Sequence, residues 1–591
     1  AAGGRRGFAY VVALLVVCAA ATAFGWYQFN SARRDAARTD AGAMKITRLT
    51  SSGRAGSPAI SPDGKFVAHV VEDAGRQSLW LRQVGTNSNQ QILPPEEINY
   101  FGLTFSPDGR NLYLVRGRNS YINELYVMPM LGGEPRLVVK DIDSAVTLSP
   151  DGQQLAFLRN YPDTGEAVIL VANSDGTGER RVAARRQPDY FHRGPAWSPD
   201  GRLLACAVTN QSGGLHYNVV GLSVADGREE LISDARWADV ARFGWLPDGT
   251  GLVLSAQEDS ARPRQIWLVP YPAGGGQPRR VTNDFNSYGG LNLTADASAL
   301  VTIEGELRAG IWVAPAQGAD TAATQVTAAS GGGGGSNDGA DGLAWAPDGR
   351  LVYVSSAGGE RDLWVMNADG AGARQLTFGM RAWGPQVTPD GRHVVFASKR
   401  EGNMHIWRVD LAGGNQTQLT RGEVEFDPRV SPDGRWIIYE GLSDGKSRVL
   451  KVSIDGGQPA PVLDRHAAAP TLSPDGKQLA YFYWDTRDYQ SRLAIAPIRD
   501  DGTAGDPAKT FNLPMTRSFH WSPDGRAINF VDTKGGISNI YRQPLDGGEP
   551  RQLTNFKSDL IFAYAPAPDG RRIAVSRGAV SRDVVLVEDF K

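Results

Sequence analysis

Short apolar runs alternating with polar positions recur along the chain from residue 46 to its end. Alternation of period two is the pattern of half-buried strands rather than helices. The runs come in sets of four. Ala196-Trp197 stands before a tight turn and Leu203-Leu204-Ala205 after it. A third run follows, as in Leu79-Trp80-Leu81, Leu125-Tyr126-Val127, Ile266-Trp267-Leu268, Ile311-Trp312-Val313, Leu363-Trp364-Val365 and Ile406-Trp407-Arg408. A Gly-rich turn such as Asp455-Gly456-Gly457 or Asp546-Gly547-Gly548 leads to the fourth. Examples of that last run are Arg279-Arg280-Val281-Thr282, Arg374-Gln375-Leu376-Thr377, Gln418-Leu419-Thr420 and Arg551-Gln552-Leu553-Thr554.

The turn between the first two runs is itself a repeat. Ser61-Pro62-Asp63-Gly64 returns at 106–109, 149–152, 198–201, 431–434, 473–476 and 522–525. Copies with a changed first residue lie at 246–249, 346–349, 388–391 and 567–570, and a degraded copy reads Thr294-Ala295-Asp296-Ala297. The Asp positions are 63, 108, 151, 200, 248, 296, 348, 390, 433, 475, 524 and 569, spaced 42 to 52 residues apart. Ser at the first position, Pro at the second, Asp at the third and Gly at the fourth spell a type I turn. Four short antiparallel strands in a period of about 45 residues make the blade of a β-propeller. One blade cannot bury both of its faces, so blades stack around an axis.

The fold expected is therefore all-β, with twelve four-stranded blades. The last unit stops at Val584-Val585-Leu586-Val587, a third strand, while Ile46-Thr47-Arg48-Leu49-Thr50 is a fourth-type strand with no blade before it. A second such strand, Thr324-Gln325-Val326-Thr327, precedes the glycine run at 331–335. Two six-bladed propellers explain both. The strand at 46–50 would close the sixth blade and the strand at 324–327 the twelfth, removing free sheet edges. The expected division is a first propeller at 46–322 and a second at 323–591, with a Gly-rich loop at 330–340. Seven plus five blades, or a single ring of twelve, also fit the motifs.

Composition agrees. With 70 Gly among 591 residues, 41% hydrophobic and 21% charged, the chain is globular and turn-rich. Two cysteines cannot staple such a length. Cys18 and Cys206 cannot pair if Cys18 lies in a membrane, so they leave the redox compartment open. Residues 1–45 carry a net charge of +4 and the remainder −6, with no basic stripe. Nucleic-acid binding, which needs an electropositive footprint, is not expected.

Residues 8–27, FAYVVALLVVCAAATAFGWY, hold no charge. At about 1.5 Å per residue they reach about 30 Å, one crossing of a hydrocarbon core. Trp26 and Tyr27 suit the interface. The expected reading is a transmembrane helix at 8–27 between a flank at 1–7 and a juxtamembrane linker at 28–45. A cleaved signal peptide, with Arg5 and Arg6 before it and Ala21-Thr22-Ala23 as its site, is the alternative. Arg33, Arg34 and Arg38 outnumber Arg5 and Arg6, which alone would put the C-terminal side in the cytoplasm.

The Ser-Pro-Asp-Gly units, Ile-Trp strands and Gln-Leu-Thr ends resemble the WD-like repeats of the TolB family over residues 46–590. The span followed by KITRLTSSGRAGSPAISPDGKFVAHVVEDAGRQSLWLRQV also resembles the C-terminal half of bacterial membrane-anchored serine/threonine protein kinases, and of some winged-helix transmembrane regulators. That resemblance implies a non-catalytic sensor or interaction half, held in the inner membrane by a single span with its propellers in the periplasm. No Val-Ala-Ile-Lys, His-Arg-Asp or Asp-Phe-Gly element is present, so no kinase residue is carried over.

Other chemistry finds little support. Gly441-Leu442-Ser443-Asp444-Gly445 matches G-x-S-x-G, but a nucleophile elbow needs a strand-to-helix turn. Here a hairpin is expected. His69, His192, His216, His393, His405, His466 and His520 are scattered singly, without metal-ligand spacing. The glycine run lacks the Gly-Lys-[Ser/Thr] ending of a phosphate loop. No catalytic, cofactor-binding or metal-ligating residue is assigned, and no cofactor is expected. A protein or peptide ligand remains. Longer loops at 186–193 (RQPDYFHR), 161–166 (YPDTGE), 258–264 (EDSARPR) and 484–489 (WDTRDY) share one face, with Tyr190, Phe191 and Arg193 as candidate contacts.

Overall fold

The repeated tetrapeptide closes through its own side chains. In the computed structural model, which describes residues 44–118, 123–161, 164–186, 189–210, 216–259, 262–316, 322–327, 337–443, 446–485 and 490–591, the Gly64 N–H donates to the Ser61 carbonyl at 2.9 Å. The Ser61 hydroxyl donates to Asp63 Oδ1 at 2.7 Å and accepts the Phe66 N–H at 2.9 Å. Asp63 Oδ1 also accepts the Lys65 N–H at 3.1 Å. Gly64 sits at φ +74°, where a side chain is strained. The same hydroxyl-to-carboxylate bond recurs from Ser106, Ser149, Ser198, Thr388, Ser431, Ser473 and Ser522. Even the degraded copy keeps it, from Thr294 to Asp296 at 2.8 Å.

These turns join the first two strands of successive antiparallel sheets, of the kind that form propeller blades. Five sheets of four strands span residues 55–96, 99–140, 147–186, 191–237 and 239–280; five more span 343–375, 382–418, 424–463, 468–511 and 519–552. An apolar cluster fills each gap between neighbouring sheets. Tyr113, Leu125, Leu155 and Phe157 join the second and third, and Val219, Trp237, Trp245 and Leu252 join the fourth and fifth. Both sets close on themselves through one shared sheet.

That shared sheet departs from the expected blade composition. Ala299–Pro315 and Arg572–Glu588, 17 residues each, pair antiparallel along their whole length. Val584 to Val587, expected as the third strand of the last unit, instead face residues 300–303 and the closing strand Lys45–Arg48. Ile311 to Val313, expected as the third strand of the sixth unit, belong to the other end, where Trp312 and Val313 face Gln325 and Thr324. Each unit has thus given its third strand to the other. The physical reason is local. Elsewhere a turn such as Ala74-Gly75 (both at positive φ) folds the second strand back on the third, whereas residues 304–310 and 577–583 continue straight as strand. The expected boundary at 322 therefore does not separate the two sets: part of each set's last sheet comes from the far side of it.

The segments expected to form the membrane span (8–27), almost all of the linker (28–45) and most of the Gly-rich loop (330–340) lie outside the described residues. Among the described residues no helix is long and apolar enough to cross a membrane.

Candidate functional site

Because the two long strands pass from one set to the other at the ends where second strands normally turn into third strands, those loop-bearing ends face each other. Two contacts beside the shared sheet show it. Asp259 of the 258–264 loop pairs with Arg381 at 2.6 Å. On the other flank, a Cβ placed on Gly75 would lie 3.9 Å from Gly535 Cα, so two hairpin tips meet there. The face expected to bind is therefore, in each set, the face turned toward its counterpart.

Between these faces, at the shared sheet, lies a polar cavity of about 350 Å³ lined by Arg48, Asp284, Glu304, Glu306, Arg308 and Asp583 among others. Its acids are already engaged. Arg48 contacts Glu304 and lies 3.8 Å from Asp583. Asp583 also accepts from Thr50 Oγ1 at 2.9 Å and the Gly53 N–H at 3.1 Å. Glu304 accepts from Asn286 at 2.9 Å, and Arg308 pairs with Glu306 at 2.7 Å. Asp284 accepts the Tyr288 hydroxyl at 2.6 Å; burial, then that bond, raises the phenol pKa. This cluster ties the closing strand to the shared sheet.

The RQPDYFHR loop separates into parts. Gln187 and Pro188 lie outside the described residues. Phe191, a candidate contact, is 1% exposed and packs in the core between the third and fourth sheets. Tyr190 is half-buried against the same cluster. His192 lies 3.4 Å from Asp239, which Arg264 also contacts. Burial alone would raise the Asp239 carboxyl, but the nearby His192 ring and the Arg264 charge outweigh it and hold it well below the usual carboxylate range. Arg193 is exposed, at φ +67°. The other expected loops are described only in part: residues 162–163, 260–261 and 486–489 fall outside.

Ser443 of the G-x-S-x-G match ends Trp436–Ser443 and faces Lys446 across a β-hairpin, not a strand-to-helix turn. The histidines mostly serve packing and local hydrogen bonds. Burial lowers His69 to about 4 and His520 to about 3; His405 meets Glu425 at 2.9 Å and His393 meets Asp410 at 3.0 Å. Among the described residues no three His, Cys, Asp or Glu side chains group as metal donors. Cys206 is buried, and its thiol pKa is raised by that burial.

A family model described as the TolB beta propeller domain matches residues 36–234 and 319–467. Uncharacterized peptidase YuxL of Bacillus subtilis (strain 168) is 26% identical over 230 residues, covering 36% of this chain and 31% of that protein. Uncharacterized protein Atu1656 of Agrobacterium fabrum (strain C58 / ATCC 33970) is 28% identical over 213 residues, 35% of this chain and 66% of that protein. The chain thus spans less than two thirds of either relative's length. The crystal structure of TolB from Acinetobacter baumannii shares 17% identity over 82% of both chains, with a TM-score of 0.24.

Proposed function

The chain belongs to the TolB beta propeller domain family, and we propose that it is a non-catalytic interaction module whose two closed sets of sheets are two six-bladed propellers. The opposition of the two loop faces about one shared sheet carries this reading. Loops held by a rigid frame are where binding concentrates, and here two such arrays are held against each other. The ligand is a protein, peptide or envelope component engaged from these loops. On this reading residues 8–27 anchor the chain in a bacterial inner membrane. The propellers lie in the periplasm, as the sensing half of a membrane-anchored signalling protein of the serine/threonine kinase kind.

Two experiments test this. A photo-cross-linking residue at Tyr190 should capture a defined envelope component, and absence of any specific adduct counts against the binding face. Protease added outside spheroplasts should digest the propellers, while inverted inner-membrane vesicles should protect them. The reverse pattern would place them in the cytoplasm.

Family membership also favours a TolB-like periplasmic binding or translocation component that works without a kinase. A kinase or winged helix encoded in frame upstream decides for the signalling form, and its absence for the other. The peptidase name of YuxL is the observation that would favour an enzyme, with its site in a propeller channel or at Ser443. Fluorophosphonate labelling that disappears in Ser443→Ala would count against a non-catalytic module.

A further inference from the structure

The axis of the first ring is closed by its six innermost strands, and the contacts run all the way round. Ser57 Oγ donates to the Tyr100 carbonyl at 3.1 Å, and a Cβ on Gly102 would meet Ala145 Cβ at 2.3 Å. A Cβ on Gly194 would lie 2.5 Å from the Ala145 carbonyl oxygen, and one on Gly290 3.3 Å from Pro58. These residues share one register. Six positions before each turn aspartate stand Ser57, Gly102, Ala145, Gly194, Arg242 and Gly290. Five are among the smallest residues and one is an arginine.

Arg242 uses the space the others leave. It belongs to the fifth sheet, yet its Nη2 lies 3.2 Å from where a Cβ on Gly102 of the second sheet would stand. In a ring of six those sheets are diametrically opposed, so the guanidinium crosses the axis. Among the described residues it has no ion pair or side-chain hydrogen bond. Burial, and after it the charge of Arg193, lowers Arg242 to about 10. Asp239, the carboxylate whose charge reaches Arg193, is engaged by Arg264 and His192.

The second ring supplies the contrast. Its residues in the same register are Gly342, Gly384, Asp427, Ala469, Ser518 and Ala563. The charged one, Asp427, is in contact with Arg517, which also lies 3.6 Å from Glu440. The second ring also carries an arginine without an ion pair, Arg429, but its guanidinium donates to the Arg517 carbonyl at 3.2 Å and the Pro428 carbonyl at 3.4 Å, whereas Arg242 has no such acceptor among the described residues. Arg242 is half-buried, so its guanidinium is within reach of solvent along the axis and of a ligand that enters there. Arginine's planar fork matches an oxyanion bidentately.

We propose that the axis of the first ring is an oxyanion-binding site, in which Arg242 and Arg193 hold a carboxylate or phosphate group of a ligand entering from the loop face. The site rests on reading the first ring as a ligand-binding module, but the two can fail separately. A partner still captured at Tyr190 by an Arg242→Gln protein would leave the module standing and remove the axial site.

The test is calorimetric titration of the purified full chain in detergent with two probes: inorganic phosphate, and N-acetylglycine with its amide as control. Saturable binding of at least one probe is expected, weakened tenfold or more in both Arg242→Gln and Arg193→Gln. Phosphate alone binding identifies a phosphorylated ligand; N-acetylglycine binding without its amide identifies a carboxylate such as a peptide C-terminus. Arg193→Gln changes an exposed side chain, so its loss of affinity cannot be ascribed to unfolding. Arg242→Gln should keep or raise the melting temperature, because it removes an unpaired charge, whereas a purely structural arginine would lower it. No saturable heat with either probe at millimolar concentration, or affinities unchanged in the two variants, overturns the proposal.

Discussion

Gly578→Ala tests the shared sheet at its narrowest point. Gly578 faces Ala309 on one side and Leu560 on the other, so strands flank it on both edges. A Cβ there would stand 1.7 Å from the Arg308 carbonyl oxygen, 2.7 Å from its carbon and 2.9 Å from Ala309 Cα. All three are backbone atoms, and no side-chain rotation relieves them. Restoring an ordinary contact requires the two long strands to part by about 1.5 Å, which belongs at the top of the 1–3 kcal/mol range for overpacking. With a urea slope of about 3 kcal/mol per M, a loss of about 3 kcal/mol shifts the midpoint by about 1 M. Gly289→Ala is the control. It lies in the same sheet with nothing within 4 Å of its Cβ and should stay within about 0.5 kcal/mol. Urea melts followed by tryptophan fluorescence give both numbers. Both sets of sheets pack on this shared sheet, so every phase should move together. A Gly578→Ala midpoint equal to that of Gly289→Ala would refute the close strand crossing.

Trp345 Nε1 donates to the Ala565 carbonyl of the shared sheet at 3.0 Å, so Trp345→Phe should cost about 1 kcal/mol in the same melts. The Asp259–Arg381 pair is partly exposed, at 18% and 31%. A double-mutant cycle with Asp259→Asn and Arg381→Gln should give a coupling of about 0.5–1 kcal/mol, decreasing with salt, and no coupling would contradict contact between the two loop faces. The turn aspartates 63, 108, 433 and 524 sit below their ordinary pKa, chiefly through the serine hydroxyl that each accepts. Their contribution is whole above the unfolded carboxyl pKa of about 4 and is lost as pH falls through the lower folded values. The melting temperature should therefore drop below about pH 4, and Asp108→Asn should shallow that drop.

The repeat was legible because its chemistry is local. Ser, Pro, Asp and Gly each serve the turn within four residues, so twelve turns and the strands around them could be placed from spacing alone. The closing role of residues 46–50 and 324–327 followed from counting strands. Which third strand each would meet did not. That choice depends on residues 304–310 and 577–583, which run on as strand even though Ala309-Gly310 repeats the Ala-Gly pair that turns the chain at Ala74-Gly75, so the dipeptide alone does not mark the reversal. Phe191 illustrates a second limit: an aromatic in a polar loop reads as a contact until the neighbouring sheet is seen to cover it. Arg242 was missed for a related reason. Read alone it is one more arginine beside a strand. Only the superposed register, with a small residue at every other position, shows that it has the axis to itself.

The exchange of third strands is the claim on which the opposed faces depend, and cysteine pairing at Glu588 tests it most directly. Glu588 faces Ala299 in the observed register. If each unit kept its own third strand, it would instead lie near Arg572. In a background of Cys18→Ser and Cys206→Ala, the pair Ala299→Cys with Glu588→Cys should oxidise nearly completely under mild conditions. The linked chain would then run faster on a non-reducing gel. A disulfide formed by Arg572→Cys with Glu588→Cys, and none by the Ala299 pair, would contradict the exchange.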